Sequence, residues 1–170
     1  ERDKYISSSL LTSGIWEPYI TQAFQTALER FPQATVIDVG ANLGYYSLLA
    51  SAMGHRVVAL EPQTENLNRF VAGARADRWN DNIILLANAL SDGHRNVSLS
   101  RSDDNQGGIR ALDRCDQLWP SSSSMGGQCT VPTLTLDDLL YVVTSKIVII
   151  KLDIEGYECK ALATASQFFS

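Results

Sequence analysis

A glycine-containing turn is the first place in this 170-residue sequence where residue types and spacing indicate chemistry. Residues 35–39 predict a buried strand that carries Asp38 and leads into the turn. Gly40 permits a tight turn and a close approach of a ligand to the backbone, and Gly44 permits close packing of a helix on the strand. Asn42 stands where the dinucleotide fingerprint GxGxxG has its second glycine, and the acid Asp38 suits a cation better than a diphosphate. The turn therefore favours a nucleoside with a positively charged tail as its ligand; a plain strand-to-helix turn is the alternative.

The ends of the next two apolar segments supply groups that fit such a nucleoside. Glu61 follows the segment 56–60, about 20 residues beyond the glycine turn, where an acid can accept hydrogen bonds from ribose hydroxyls; a solvated loop carboxylate is the alternative. Asn88 follows the segment 83–87 and could meet an adenine edge, with Ala89 packing on the ring, although Asn also occurs in turns for local reasons. S-adenosylmethionine combines a nucleoside with a cationic tail and is the predicted cofactor. The predicted cofactor-binding residues are Asp38, Gly40, Asn42, Gly44, Glu61, Asn88 and Ala89.

The most apolar segment of the chain, 146–152, ends in a cluster of polar groups. A buried strand has little structural use for such groups, so Asp153 and Glu155 are predicted to be catalytic residues. Asp153 is the first candidate for a general base or for a residue that orients the acceptor, Glu155 is the second candidate, and His94 is an alternative base. The sequence does not fix whether Asp153 and Glu155 share one face of a continuing strand or are separated by a glycine turn. His55 follows the end of a predicted helix, and we expect it at the surface.

These groups need a scaffold that brings the strand ends together, and the periodicity of the chain predicts one. Apolar residues at spacings of three and four predict helices, and short β-branched or apolar runs predict strands. The predicted helices are 18–31, 44–53, 64–77, 136–142 and one after residue 158, and the predicted strands are 35–39, 56–60, 83–87, 96–100, 130–135 and 146–152. We expect strand 130–135 to pair with strand 96–100, and strand 146–152 to be central. The alternation of strands and helices predicts an α/β fold with a mostly parallel sheet, right-handed crossovers and helices on both faces.

The composition excludes some function classes and leaves the compartment open. A net charge of −5 and 14 scattered Lys and Arg residues argue against a nucleic-acid groove. The longest apolar stretch is too short to span a bilayer. Cys115, Cys129 and Cys159 lack the CxxC spacing of a metal site, and Cys115 and Cys129 could be bridged or free. With the glycosylation acceptor pattern at Asn96, the cysteines leave a cytoplasmic and a secretory-pathway location open.

Taken together, the motifs resemble those of the FkbM family of methyltransferases. The matching segments occur in the family's order, at residues 36–47, 57–62 with Asn66, 88–92, 135–138 and 151–158. The resemblance implies a Rossmann-like class I methyltransferase fold, S-adenosylmethionine as the methyl donor, and O-methylation of a hydroxyl on a sugar or other small metabolite. The cofactor contacts that it implies are Asp38, Gly40, Asn42 and Glu61. The residues that it implies beside the methyl-transfer site are Asp153 and Glu155.

The resemblance also divides the chain. It implies an N-terminal segment with an amphipathic helix, residues 1–34, and a methyltransferase domain, residues 35–170, whose final strands we expect beyond residue 170. Trp16 and Glu17, ahead of the first predicted helix, are candidates for part of a lid over the cofactor. An NAD-dependent oxidoreductase, against which Asn42 and Asp38 argue, and a non-catalytic Rossmann-like binding module are alternative functions. The sequence does not determine the acceptor, a small molecule or a glycan, or the oligomeric state.

Overall fold

The computed structural model describes residues 5–76, 80–101, 109–112 and 130–170. The α-helices there are α1 Ile6–Ser13, α2 Pro18–Arg30, α3 Tyr45–Ala52, α4 Thr64–Ala76 and α5 Glu158–Ala163. The strands are β1 Thr35–Val39, β2 Arg56–Leu60, β3 Ile83–Leu86, β4 Ala89–Leu90, β5 Asn96–Arg101, β6 Ile109–Leu112, β7 Thr130–Leu134 and β8 Val148–Leu152. Two short 3₁₀ turns are Asn80–Asn82 and Asp137–Tyr141. The polar segments 102–108 and 121–127, which their Gly- and Ser-rich sequences predict to be loops, lie outside the described residues, as do Cys115 and Cys129.

One sheet, the parallel sheet, consists of four parallel strands in the order β3-β2-β1-β8. Every residue of β1 is buried, as is typical of a parallel strand that is covered on both faces. This arrangement confirms the predicted α/β fold with a mostly parallel sheet. Among the described residues β8 pairs with β1 alone, so the prediction that segment 146–152 is central is wrong for this part of the chain. Because parallel strands end at one edge of the sheet, the residues that follow β1, β2, β3 and β8 come together there.

Two hydrophobic cores cover the two faces of the parallel sheet. On one face α2, α3 and α4 pack on the strands, and the buried residues are Phe24, Leu28, Val36, Ala41, Tyr46, Ala50, Val57, Ala59, Phe70 and Ala74. On the other face α5 and the second 3₁₀ turn take part, and the buried residues are Ile37, Val39, Val58, Leu60, Leu90, Leu136, Leu139, Ala161 and Ala165. Successive strand residues contribute to opposite cores because their side chains alternate. The predicted helices on both faces are therefore present, and they fix the strand ends in space.

A second sheet, the mixed sheet, follows the third strand and also has four strands, in the order β4-β7-β5-β6. Strands β4 and β7 are parallel, and β5 is antiparallel to both β7 and β6. The predicted pairing of segments 96–100 and 130–135 is confirmed by a register that sets Asn96 opposite Pro132 and Ser98 opposite Thr130. Ala89 and Leu90 of β4, together with Leu99 of β5, also line the cavity at the ends of the parallel strands. The mixed sheet thus forms a side wall of that cavity.

Three local features differ from the sequence-based predictions. The sequence pattern does not predict α1, because five of its eight residues are Ser or Thr, which favour turns and caps. The predicted helix 136–142 is a 3₁₀ turn. His55 is buried rather than at the surface, and its Nδ1 lies 3.0 Å from the carbonyl oxygen of Ala34. Within the described ranges, no helix has the length and apolar character needed to cross a membrane.

Candidate active site

A cavity of about 270 Å³ opens at the carboxyl ends of the parallel strands. This volume is close to the lower end of the roughly 300–1,000 Å³ that is typical of small-molecule sites. Most of the predicted site residues line it, namely Gly40, Asn42, Glu61, Asn88, Ala89, Asp153 and Glu155. Two of the predicted cofactor-binding residues do not line the cavity: Asp38 and Gly44. The fold therefore gathers groups from four strand ends around one space, and it sets two of the expected ligand contacts behind its wall.

The turn after β1 owes its shape to three residues in the left-handed region. Gly40, Asn42 and Gly44 have φ angles of 78°, 52° and 85°. A Cβ on Gly40 would lie 1.9 Å from the carbonyl oxygen of Asp153, and one on Gly44 would lie 2.5 Å from the ring of Phe70. Gly40 thus allows the end of β8 to approach the end of β1, and Gly44 allows α4 to pack on the turn. Both glycines are required by the protein's own packing, and Gly40 alone of the two reaches the cavity.

Asp38 lies beneath the turn and is completely buried. Its Oδ2 accepts a hydrogen bond of 2.6 Å from the Ser47 hydroxyl, whereas its Oδ1 has no partner among the described residues. Burial raises the pKa of Asp38, and the nearby charge of Lys151 opposes that rise. Because Asp38 is separated from the cavity, its influence on a ligand there would be electrostatic or exerted through the turn.

Glu61 is buried at the cavity wall by the residues that follow it and by the glycine turn. One carboxylate oxygen accepts a hydrogen bond of 2.8 Å from the Asn42 backbone N–H. The other accepts bonds from the Gln63 backbone N–H, 2.9 Å, and the Asn66 amide, 3.4 Å. Burial raises the pKa of Glu61, and these hydrogen bonds oppose the rise. Each carboxylate oxygen can accept two bonds, so the first oxygen retains an acceptor position for a ligand hydroxyl.

The end of β3 contributes an exposed amide and a small apolar surface. The Asn88 side chain donates a hydrogen bond of 3.2 Å to the carbonyl oxygen of Pro132 in β7. This bond connects the end of the parallel sheet to the mixed sheet. Ala89 follows in β4 and is buried against the cavity. Asn88 could contact the edge of a planar ring and Ala89 its face, which is the arrangement that the sequence predicts for adenine.

The end of β8 turns sharply, which answers the question that the sequence left open. Glu155 and Gly156 both have positive φ angles, 53° and 98°. Asp153 and Glu155 therefore do not continue one strand face, although both are exposed and both line the cavity. The Glu158 carboxylate accepts hydrogen bonds from the backbone N–H groups of Ile154, 3.0 Å, and Gly156, 3.2 Å, and so holds the turn.

Lys151 and Tyr46 are parts of the site that the sequence analysis did not assign. The Lys151 ammonium lies 2.8 Å from a carboxylate oxygen of Asp153 and 5.1 Å from the centre of the Tyr46 ring, and the lysine lines the cavity. The available sequence signal was a lysine within the otherwise apolar segment 147–152. The Tyr46 hydroxyl donates a hydrogen bond of 2.9 Å to Glu17, whose own backbone is left-handed with φ 43°.

The N-terminal segment forms one side of the cavity. Tyr5, Ile6 and Trp16 are among its lining residues, as the lid expectation for Trp16 requires. Glu17 is held at the α3 side through Tyr46. His94, the alternative base, is exposed, does not line the cavity and lies 2.7 Å from an oxygen of Asp138. In the part of the chain that the structure describes, no group of three or more His, Cys, Asp and Glu side chains could hold a metal ion.

Comparisons with known proteins identify the family of the chain and support its fold. Residues 38–170 match the sequence model of the methyltransferase FkbM domain. The crystal structure of methyltransferase FkbM from Methylobacillus flagellatus KT is similar to the chain, with 20% sequence identity and a TM-score of 0.50 over 79% of this chain and 29% of that one. The chain thus spans less than a third of the length of that protein.

Weaker likenesses are to structures of WbdD. A co-crystal structure of WbdD with a kinase inhibitor covers 42% of this chain and 17% of that chain, with 22% identity and a TM-score of 0.37. A crystal structure of monomeric WbdD covers 52% of this chain and 22% of that chain, with 17% identity and a TM-score of 0.39. A comparison with curated proteins finds no match to the chain.

Proposed function

The chain belongs to the FkbM family of methyltransferases, and we propose that it takes the methyl group from S-adenosylmethionine and transfers it to a hydroxyl of a sugar or other small metabolite. The observation that carries the donor assignment is the Glu61 carboxylate, which is buried at the cavity wall and retains an acceptor position. An acid at the end of the second strand of such a sheet accepts hydrogen bonds from ribose hydroxyls. The family membership and this carboxylate together support a nucleoside-containing methyl donor.

The remaining residues of the cavity fit the other parts of that donor. Gly40 keeps the wall free of a side chain, and Asn88 with Ala89 offers a polar edge beside an apolar surface. The acids Asp153 and Glu155 give the cavity an acidic side, which suits a positively charged ligand. When bound, S-adenosylmethionine supplies an electrophilic methyl carbon on a sulfonium. Positioning by the protein is then a large part of catalysis.

The acceptor side of the proposal depends on the residues after β8. Asp153 is exposed in the cavity, where its carboxylate can accept the proton of an acceptor hydroxyl as a general base. Glu155 is the second candidate. Aromatic side chains with apolar bodies and polar tips, Trp16, Tyr46 and Tyr157, line the same space. Flat apolar surfaces beside carboxylates that accept hydrogen bonds from hydroxyl groups suit a sugar-like methyl acceptor.

Calorimetric titration tests the donor assignment. We expect the wild-type chain to bind both S-adenosylmethionine and S-adenosylhomocysteine, and NADH to give no heat. Glu61→Gln keeps the size of the side chain but removes the charge that strengthens ribose hydrogen bonds, so both affinities should fall by about tenfold to a hundredfold. Glu29→Gln on the exposed face of α2 is the matched control and should bind as wild type. Absence of heat with both sulfur ligands on folded wild-type protein sinks the proposal, and binding of NADH instead would favour an oxidoreductase.

The acceptor class needs a separate experiment. A panel of glycans and small hydroxyl compounds, incubated with donor labelled in its methyl group, identifies any product to which the label moves. We expect label on an oxygen of a hydroxyl compound. Label found only on nitrogen or carbon acceptors would contradict the hydroxyl assignment while leaving the donor assignment intact.

A further inference from the structure

Lys151 occupies an unusual place for a lysine, on a face of the parallel sheet that helices cover. In β8, Val148, Ile150 and Leu152 pack into one core and Ile149 packs into the other. Because side chains alternate along a strand, Lys151 projects to the same face as Ile149. The register of the sheet sets Lys151 directly beside Asp38 of β1. A cation and a buried acid are thus neighbours on the face of the parallel sheet that α2, α3 and α4 cover.

The surroundings of Lys151 hold its ammonium at the cavity. The side chain is only 16% exposed, its ammonium lies 2.8 Å from the Asp153 carboxylate, and the Tyr46 ring faces it at 5.1 Å. Its charge also opposes the effect of burial on the pKa of Asp38. Burying a charge costs free energy, and an ion pair in such a place is weak evidence for a gain in stability. A role in the site is therefore the better explanation of a lysine at this position.

The charged side chains around the cavity are unequal in number. Glu61, Asp153 and Glu155 are acids that line it, and Lys151 is the one Lys or Arg side chain that does so in the described part of the chain. A site with this balance attracts a cation, and Lys151 weakens the attraction at the end of β8. Methyl transfer changes the ligand's charge, because S-adenosylmethionine carries one more positive charge than S-adenosylhomocysteine.

We propose that Lys151 is the counter-charge of the donor site and sets how strongly the site distinguishes the positively charged donor from its neutral product. This role rests on the proposed function, since it needs a sulfonium donor. The positive charge on sulfur falls as the methyl group is transferred, so nearby acids stabilise the bound donor more than the transition state. Lys151 limits that ground-state stabilisation, which would otherwise tighten binding without raising the rate. Its contact with Asp153 also makes it a positioning residue for that carboxylate.

The test is the ratio of the dissociation constant of S-adenosylhomocysteine to that of S-adenosylmethionine, measured by calorimetry at mildly alkaline pH. Lys151→Met removes the cation and should raise the ratio by about threefold to tenfold in a partly solvated site at low salt. Asp153→Asn removes an anion and should lower the ratio by a similar factor. Lys151→Arg keeps the charge and should keep the ratio, and the double variant Lys151→Met with Asp153→Asn should return it close to wild type. About 0.5 M NaCl should shrink all of these changes.

The outcomes separate the role of Lys151 from the proposed function. A purely structural lysine predicts that Lys151→Met weakens both ligands by the same factor, and that result overturns the inference. A change of the same direction in Lys151→Met and Asp153→Asn overturns it as well. If wild-type protein binds neither ligand, the proposed donor is wrong and the role of Lys151 fails with it. If Lys151→Met does not fold, as judged by its thermal melt, the neutral and polar variant Lys151→Gln takes its place: a rise in the ratio supports the inference, and an unchanged ratio overturns it.

Discussion

Replacing Gly40 by Ala perturbs the point at which the ends of β1 and β8 meet. The new Cβ would stand 1.9 Å from the carbonyl oxygen of Asp153, far inside van der Waals contact. That oxygen belongs to the backbone, so no side-chain rotation can relieve the collision. The residue would also have to adopt a φ of 78°, which L-residues other than Gly rarely take. The substitution therefore carries two separate costs, one conformational and one steric.

Gly54→Ala measures the conformational cost alone. Gly54 has a similar φ, 89°, but a Cβ built there meets nothing within 4 Å. A left-handed backbone costs an L-residue about 1–2 kcal/mol, which is the loss in the free energy of unfolding that we expect for Gly54→Ala. Overpacking costs about 1–3 kcal/mol more, so Gly40→Ala should lose about 2–5 kcal/mol in total. Since small domains have about 5–15 kcal/mol of stability, the Gly40 variant should fold but be clearly weakened.

Urea denaturation of the two variants and of wild type measures these differences. We expect lower midpoints and an unchanged slope of the unfolding free energy against urea concentration. That result means that stability has changed and the two-state transition has not. The Gly40 variant should also bind S-adenosylmethionine more weakly than the Gly54 variant, because relief of the collision must move the turn or the end of β8. Equal losses of unfolding free energy in the two variants would refute the reasoning, since the approach of Asp153 would then carry no cost.

Two further predictions concern the acids of the site. Asp38 has a pKa raised above its ordinary value of 3.8 by burial, so its contribution to stability is present below that pH and is lost as pH rises through the folded-state pKa. In urea titrations over pH, the unfolding free energy of wild type minus that of Asp38→Asn should therefore fall with rising pH above 3.8 and then level off; a rise would contradict the buried assignment. Asp153→Asn should lower turnover on an identified acceptor by about 10²–10⁴-fold, more than Glu155→Gln does, and full turnover would show that Asp153 is not the base.

Much of the fold could be predicted because its signals are local. The run Thr35–Val39, the glycine turn and the helix after it lie next to one another in the chain, and alternation of such units leaves few topologies. The same locality explains the misses. The apolar pattern of 146–152 reports burial on two faces but not the number of neighbouring strands. The Ser-rich α1 has too few apolar residues to reveal a helix that packs mainly through Ile6.

The sequence by itself determined which groups stand at the strand ends, because a polar residue that follows an apolar run can be identified without knowledge of the fold. The predicted residues Glu61, Asp153 and Glu155 all line the cavity for that reason. Only the tertiary structure decided which of the remaining groups line the cavity. Asp38 lies behind the turn and Lys151 lies at the cavity because the parallel register sets β8 against β1, and that register joins segments far apart in the chain. Charges that lie on neighbouring strands but far apart in the sequence leave no periodic signal, so their balance emerges only when the chain is folded.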